Sequence, residues 1–220
     1  MEIKVLSLTA AGSDRVSVCF ELRDRENFER RSVIISTEAL MRLGVTKGEC
    51  SRELYDSCEK ESAVCSAYSR GLQILSFGAC SENMLISKLI AKGEERSAAL
   101  EAVERICAAG FLDEAEGARR QAEIDAKKLW GESRIRAHLL QKKYKPQAVD
   151  MALFALEDSG VDFEENCRNA IRQRYKDLPV DKEEMRKLIA AICRLGYSVS
   201  QAQSACRSLR DEHRINSIYR

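Results

Sequence analysis

The sequence predicts a mostly α-helical protein: three tandem three-helix repeats forming an elongated, curved array, preceded by a small N-terminal β-rich element. Three observations predict it. The 220 residues are 45% hydrophobic yet include only two prolines, and proline is the residue that most disrupts a helix interior, at about 3 kcal/mol. Residues 1 to about 36 read as strands, with apolar and polar side chains alternating over 16–22, whereas almost everything after Ser51 reads as helix. The helical part also aligns on itself twice when shifted by about 50 residues, the signature of a repeat.

The β-rich element comes first. Val16, Val18, Phe20 and Leu22 alternate with Ser17, Cys19 and Glu21, the period of a half-buried strand. "AAGSDR" before them is a turn candidate, and "RSVIIS" at 31–36 is a third short β-rich run. Ser36 or Thr37 caps a helix that runs through Leu43 and stops at Gly44. "TKGE" at 46–49 reads as another turn.

The repeats follow. Leu85, Ile135 and Leu188 coincide on self-alignment, as do Leu89, Leu139 and Ile192. So do Ala99, Val149 and Ala202; Ala102, Ala152 and Ala205; Val103, Leu153 and Cys206; and Ile106, Leu156 and Leu209. The first two positions lie four apart and the other four are spaced three, one and three, so each set marks one helix face. Between the sets lie the turns Lys92-Gly93-Glu94, Lys142-Lys143-Tyr144 and Leu195-Gly196-Tyr197. Helices are expected at 63–77, 81–92 and 96–109, at 113–130, 132–143 and 146–158, and at 163–177, 182–195 and 199–213. Asp113 with Glu116, Asp162 with Glu165, and Asp181 with Glu184 have capping-box spacing, and Gly93, Gly110, Gly160 and Gly196 fall at helix ends. The expected organisation is 1–60 for the strands and helix, then repeats at 61–111, 112–160 and 161–220. Units of about 50 residues are marginal alone and stabilise one another by stacking.

Several function classes find no support. The nine cysteines, at 19, 50, 58, 65, 80, 107, 167, 193 and 206, form no C-x-x-C and are odd in number. They read as reduced core residues of a cytoplasmic protein rather than a disulfide or zinc framework. The N-terminus has charges within its first four residues and no long apolar stretch, unlike a signal peptide, and no run is long enough to span a membrane. No phosphate loop, nucleophile elbow or H-E-x-x-H occurs, and His138 and His213 are isolated, so neither catalysis nor a cofactor nor a metal is expected. Trp130 and the turn residues Tyr144 and Tyr197 read as packing groups.

The informative feature is the distribution of charge. Lys and Arg number 36 against 35 Asp and Glu, a net charge of +1. Between residues 119 and 145, however, stand Arg119, Arg120, Lys127, Lys128, Arg134, Arg136, Lys142, Lys143 and Lys145, against only Glu123, Asp125 and Glu132. Residues 146–166 then hold six acids and no Lys or Arg, and residues 168–176 hold Arg168, Arg172, Arg174 and Lys176 with no acid. A near-neutral chain is thus striped basic, acidic, basic, which suits a partner with spaced anionic features. Each cation singly also suits an ordinary solvated helix face.

The stretch Gly110 to Tyr144 resembles the RecX family of bacterial regulators of the RecA recombinase. The resemblance is carried by Gly110-Phe111-Leu112-Asp113, Ala118, Gly131, Arg134-Ile135, Leu139 and Lys142-Lys143, with "SENMLISKLIAKG" at 81–93 and "CRLGYS" at 193–198 in the flanking repeats. The N-terminal strands and "TEALMRLGVTKGE" are similar to an extension found in many members from Gram-positive bacteria. The chain departs from the family at Phe77-Gly78-Ala79-Cys80, where arginines usually precede the serine, and at Lys143 and Leu195 in the turns. The resemblance implies a non-enzymatic protein that binds the RecA filament along its groove, blocks its ATPase and strand exchange, and favours its disassembly. The thirteen cations of the two basic stretches, Arg119 to Lys145 and Arg168 to Lys176, are then the expected filament-binding residues. A monomer without membrane attachment is expected, with weak contact to single- or double-stranded DNA left open. A direct DNA-binding helical module and a structural adaptor without nucleic acid are the alternatives.

Overall fold

The computed structural model describes residues 2–24, 27–175 and 178–218, with side chains to residue 212. The chain divides into two compact units, Met1–Ala79 with Leu85–Leu112, and Cys80–Met84 with Asp113–Arg220.

In the first unit, β1 (Glu2–Ala10), β2 (Arg15–Asp24), β3 (Asn27–Ser36) and β4 (Gly48–Cys50) form an antiparallel sheet in the order β3-β2-β1-β4. The alternation of β2 does what its period requires: Val18 and Phe20 are fully buried while Cys19 and Glu21 between them are partly exposed. Ile3, Val5 and Ile35 complete that apolar face. The "TKGE" segment, expected only as a turn, runs into β4, which pairs with Ile3–Val5. Three residues are too few to show a periodicity, so only pairing reveals this strand. Helix α1 (Thr37–Leu43) is capped by the Ser36 hydroxyl, which accepts from the Ala39 N–H at 3.1 Å, and ends at Gly44 in the left-handed region at φ 64°.

Helix α2 (Arg52–Ser76) is one continuous helix of 25 residues, where the sequence suggested a start at 63. Nothing breaks it between Ser51, whose hydroxyl caps it, and Ser76. Its first half covers the sheet through Tyr55 and Cys58, and its second half, the first helix of the first repeat, packs on Ala98 and Ala102 through Val64 and Ala67. Gly71 permits close approach: a methyl there would lie 2.6 Å from Ile106 Cδ1. Glu61, only 6% exposed, sits inside this helix and accepts from Arg42 at 2.7 Å and from both terminal nitrogens of Arg105. Helices α3 (Glu82–Ala91) and α4 (Arg96–Ala108) complete the first repeat.

The second unit holds α5 (Glu114–Ala126), α6 (Glu132–Gln141), α7 (Pro146–Asp158), α8 (Phe163–Arg174), α9 (Lys182–Cys193) and α10 (Val199–Ile218). Asp113, Asp162 and Asp181 cap α5, α8 and α9 by accepting from backbone N–H groups two or three residues on. All eighteen residues of the six repeat positions are buried, none more than 6% exposed. In the second unit they line two cores, one under α5–α7 and one under α8–α10, and half-buried Trp130 packs against both. The helix expected to run to 130 stops at Ala126, because Leu129 turns to φ 57° and hands the chain to α6.

Cys19, Cys50, Cys58, Cys65, Cys167, Cys193 and Cys206 are free thiols, and burial pushes the Cys58 thiol up to about 11 and that of Cys167 to about 12. Among the described residues no helix is long and apolar enough to cross a membrane, and no group of three or more His, Cys, Asp or Glu residues is placed to hold a metal ion.

Candidate partner-binding surface

The cations of the second unit stand on a frame set by two glycines. The Gly131 N–H donates to the Leu195 carbonyl at 2.7 Å. A methyl on Gly131 would lie 2.5 Å from the Gly196 oxygen, and one on Gly196 would lie 2.5 Å from Arg134 Cβ. The start of α6 therefore abuts the α9–α10 turn with no room for a side chain on either strand of backbone. Around this contact, the Tyr197 hydroxyl donates to the Leu129 carbonyl at 3.0 Å and Arg134 donates to the Arg194 carbonyl at 3.2 Å. The basic turn after α6 is held in a related way. Ser81 donates to the Lys142 carbonyl at 2.7 Å and Asn83 to the Lys143 carbonyl at 3.3 Å. The Glu114 carboxylate accepts from the Glu82 and Lys145 backbone N–H groups at 3.0 and 2.8 Å.

Two cations lie against the Trp130 ring. The Arg134 guanidinium lies 4.0 Å and the Lys128 ammonium 4.9 Å from its ring centroid, and His138 meets it edge-on at 5.3 Å. Beneath them Asp125, fully buried, takes hydrogen bonds from Lys128 at 2.8 Å and Gln121 at 3.2 Å and pairs with Nδ1 of His138. His138 is thus not isolated, as the sequence suggested; residues thirteen apart meet because α6 packs back on α5. The side chain of His213 lies outside the described residues.

The other cations on which the sequence bets are mostly ion-paired. Arg119 pairs with Glu116 and Glu123, and Arg120 with Glu116. Arg136 pairs with Glu132 and Asp150, and Lys145 with Glu82 at 2.6 Å. Arg168 pairs with Glu165, and Arg172 with Glu165 and Glu212. The Arg119 and Arg120 hydrogen bonds hold the Glu116 carboxyl down at about 2. Lys127, Lys142 and Arg174 make no side-chain ion pair among the described residues. Lys176 lies outside them. The excess of nine bases over three acids along 119–145 is therefore reduced in space by Glu82, Glu116 and Asp150, which flank the stretch or come from elsewhere. Most of these pairs are exposed, and exposed pairs are worth only about 0–1 kcal/mol each.

Two features bring order to this set. Arg119 and Arg168 stand at equivalent places, six residues beyond the caps Asp113 and Asp162, and each is tied to a glutamate three residues back. Lys143 adopts φ 63° where the sister turns have Gly93 and Gly196. A non-glycine residue there costs about 1–2 kcal/mol. Self-alignment already set Lys143 beside those glycines, so this signal was present in the sequence; the burial of Asp125 and the Gly131–Gly196 contact were not.

No family model matches the chain. It is 32% identical over 128 residues to the regulatory protein RecX of Xanthomonas axonopodis pv. citri (strain 306), a match covering 58% of this chain and 77% of that protein. It is 30% identical, over the same shares, to the regulatory protein RecX of Stenotrophomonas maltophilia (strain R551-3). Among solved structures it is similar to a crystal structure of regulatory protein RecX, with a TM-score of 0.71 at 18% identity over 93% of this chain and 99% of that one. A crystal structure of RecX from Lactobacillus salivarius is similar at a TM-score of 0.58 and 14% identity, over 67% of this chain and 97% of that one. These two likenesses concern the fold.

Proposed function

The chain belongs to the RecX family of regulatory proteins, and from that premise we propose that it is a non-enzymatic modulator of the RecA recombinase. It docks in the groove of the RecA–DNA filament through its middle and C-terminal repeats and restrains ATP turnover and strand exchange. The observation that carries this reading is the recurrence of Arg119 and Arg168 at equivalent places on successive first helices. Cations that recur with the repeat match a polymer whose anionic features recur too.

The mechanism follows from that match. Partly exposed arginines exchange internal pairs for carboxylates or phosphates of the filament, a gain that is the sum of many small terms and is sensitive to salt. A rigid unit that spans neighbouring filament protomers opposes the interface motion that accompanies ATP turnover. The Gly131–Gly196 contact supplies rigidity between the two cores.

The test is a RecA ATPase and strand-exchange assay on single-stranded DNA with increasing amounts of the purified protein at low salt. Dose-dependent inhibition, relieved by added salt, is expected. Unchanged RecA activity at saturating protein would refute the proposal, and tight, sequence-selective binding to duplex DNA without RecA would favour a direct DNA-binding module.

A further inference from the structure

The three repeats supply an internal control for one exposed face. The third helices α4, α7 and α10 share one burial pattern, with 101, 151 and 204 exposed, the next two residues buried, and 104, 154 and 207 exposed again. In the first repeat the exposed pair is Glu101 and Glu104, and in the third it is Ser204 and Arg207. In the middle repeat it is Met151 and Phe154, which are 62% and 70% exposed. The fold therefore accepts polar or charged groups at both positions, and the second repeat carries apolar ones there for a reason other than folding. Met and Phe at i and i+3 form one small apolar patch.

The charge around the patch says what would cover it. Asp150 precedes it and Glu157 and Asp158 follow it, all exposed, and the last turn of α7 has no basic residue. Asp150 is paired with Arg136, while Glu157 and Asp158 make no ion pair among the described residues. Two acids at a helix C-terminus oppose the helix dipole, so they too are not placed for local stability. Phosphates would be repelled from this face; a protein surface with an apolar side chain flanked by Lys or Arg would be drawn to it.

We infer that the Met151–Phe154 face of α7 is a protein-docking face, whose occupant is a basic-rimmed apolar segment of the filament's protein subunit rather than its DNA. The inference rests on the RecA reading above and adds to it a division of labour: cations of α5 and α8 toward anionic groups, α7 toward protein. The sister repeats prescribe the variants. M151S/F154R installs the third repeat's residues and M151E/F154E the first repeat's, so both should keep the wild-type circular dichroism and melting temperature. Fluorescently labelled wild type and variants are titrated with RecA on single-stranded DNA, and separately with the DNA alone. The variants should lose at least about tenfold in affinity for the filament, as for an anchor residue in an interface, with binding to DNA alone unchanged. Wild-type filament affinity in both variants would overturn the inference while leaving the RecA reading intact. So would a wild-type dimer in sedimentation that the variants abolish, because the face would then belong to a second copy. Wild type that fails to bind RecA at all overturns the RecA reading, and this inference with it.

Discussion

Replacing Gly131 by alanine adds one methyl group, and the structure determines the sign of its effect. The backbone there is ordinary, φ −77° and ψ 162°. In open space the change would stabilise the protein by about 0.4–1 kcal/mol by restricting the unfolded chain. The space is not open: the methyl would stand 2.5 Å from the Gly196 oxygen, 2.6 Å from its carbonyl carbon and 2.8 Å from the Tyr197 nitrogen. All three are backbone atoms and cannot swing aside. Overpacking of this kind costs about 1–3 kcal/mol, and stretching the 2.7 Å bond from Gly131 to Leu195 costs about 0.5–1.5 more. The net expectation is a loss of about 1–3 kcal/mol, or about 3–10 °C in melting temperature for a chain of this size. Trp130 is the sole tryptophan and adjoins the contact, so urea unfolding followed by its fluorescence reports on this joint directly. A Gly131→Ala protein as stable as wild type, or more so, would refute the close-approach argument.

Three further outcomes are expected. Arg105→Ala leaves buried Glu61 with Arg42 alone and should cost about 3 kcal/mol in urea unfolding. The Arg105 hydrogen bond holds the Glu61 carboxyl below its ordinary value, so its contribution is complete above the unfolded carboxylate range and is lost as pH falls through the folded one; melts taken downward from neutral pH should show a shallower acid limb in the variant. Lys143→Gly relieves a left-handed lysine and should stabilise the protein by about 0.5–1 kcal/mol while weakening filament binding; unchanged or improved affinity would remove Lys143 from the binding surface. Charge reversal of Lys127 and Arg174, both exposed, should leave stability within about 0.5 kcal/mol. It should also lower the slope of log affinity against log salt by roughly one for each phosphate no longer neutralised, and an unchanged slope would exclude both residues as phosphate ligands.

Much of the architecture was legible because it rests on local rules. Val18 and Phe20 alternate with polar neighbours, and a strand follows. Leu85, Ile135 and Leu188 coincide on self-alignment, and all three are fully buried. Asp113, Asp162 and Asp181 precede helices and cap them. What escaped was decided over distance. The strand β4 is three residues that only the partner strand β1 makes visible. The continuity of α2 through residue 62 reflects two cores that share one helix, which no window of sequence displays.

The candidate surface divides the same way. Counting along the chain located the basic stretches but overstated their charge, since Asp150 and Glu82 reach Arg136 and Lys145 from other segments. By itself the sequence determined the repeat, the helix faces and the caps, because those depend on spacings of three or four residues and on side chains bonding their own backbone. Only the tertiary structure decided that Gly131 meets Gly196, that Asp125 is buried beneath Trp130, and that Phe154 stays in solvent. Those outcomes depend on which atoms are brought within a few ångströms by packing, and contact energies and desolvation act at that range whatever the separation along the chain.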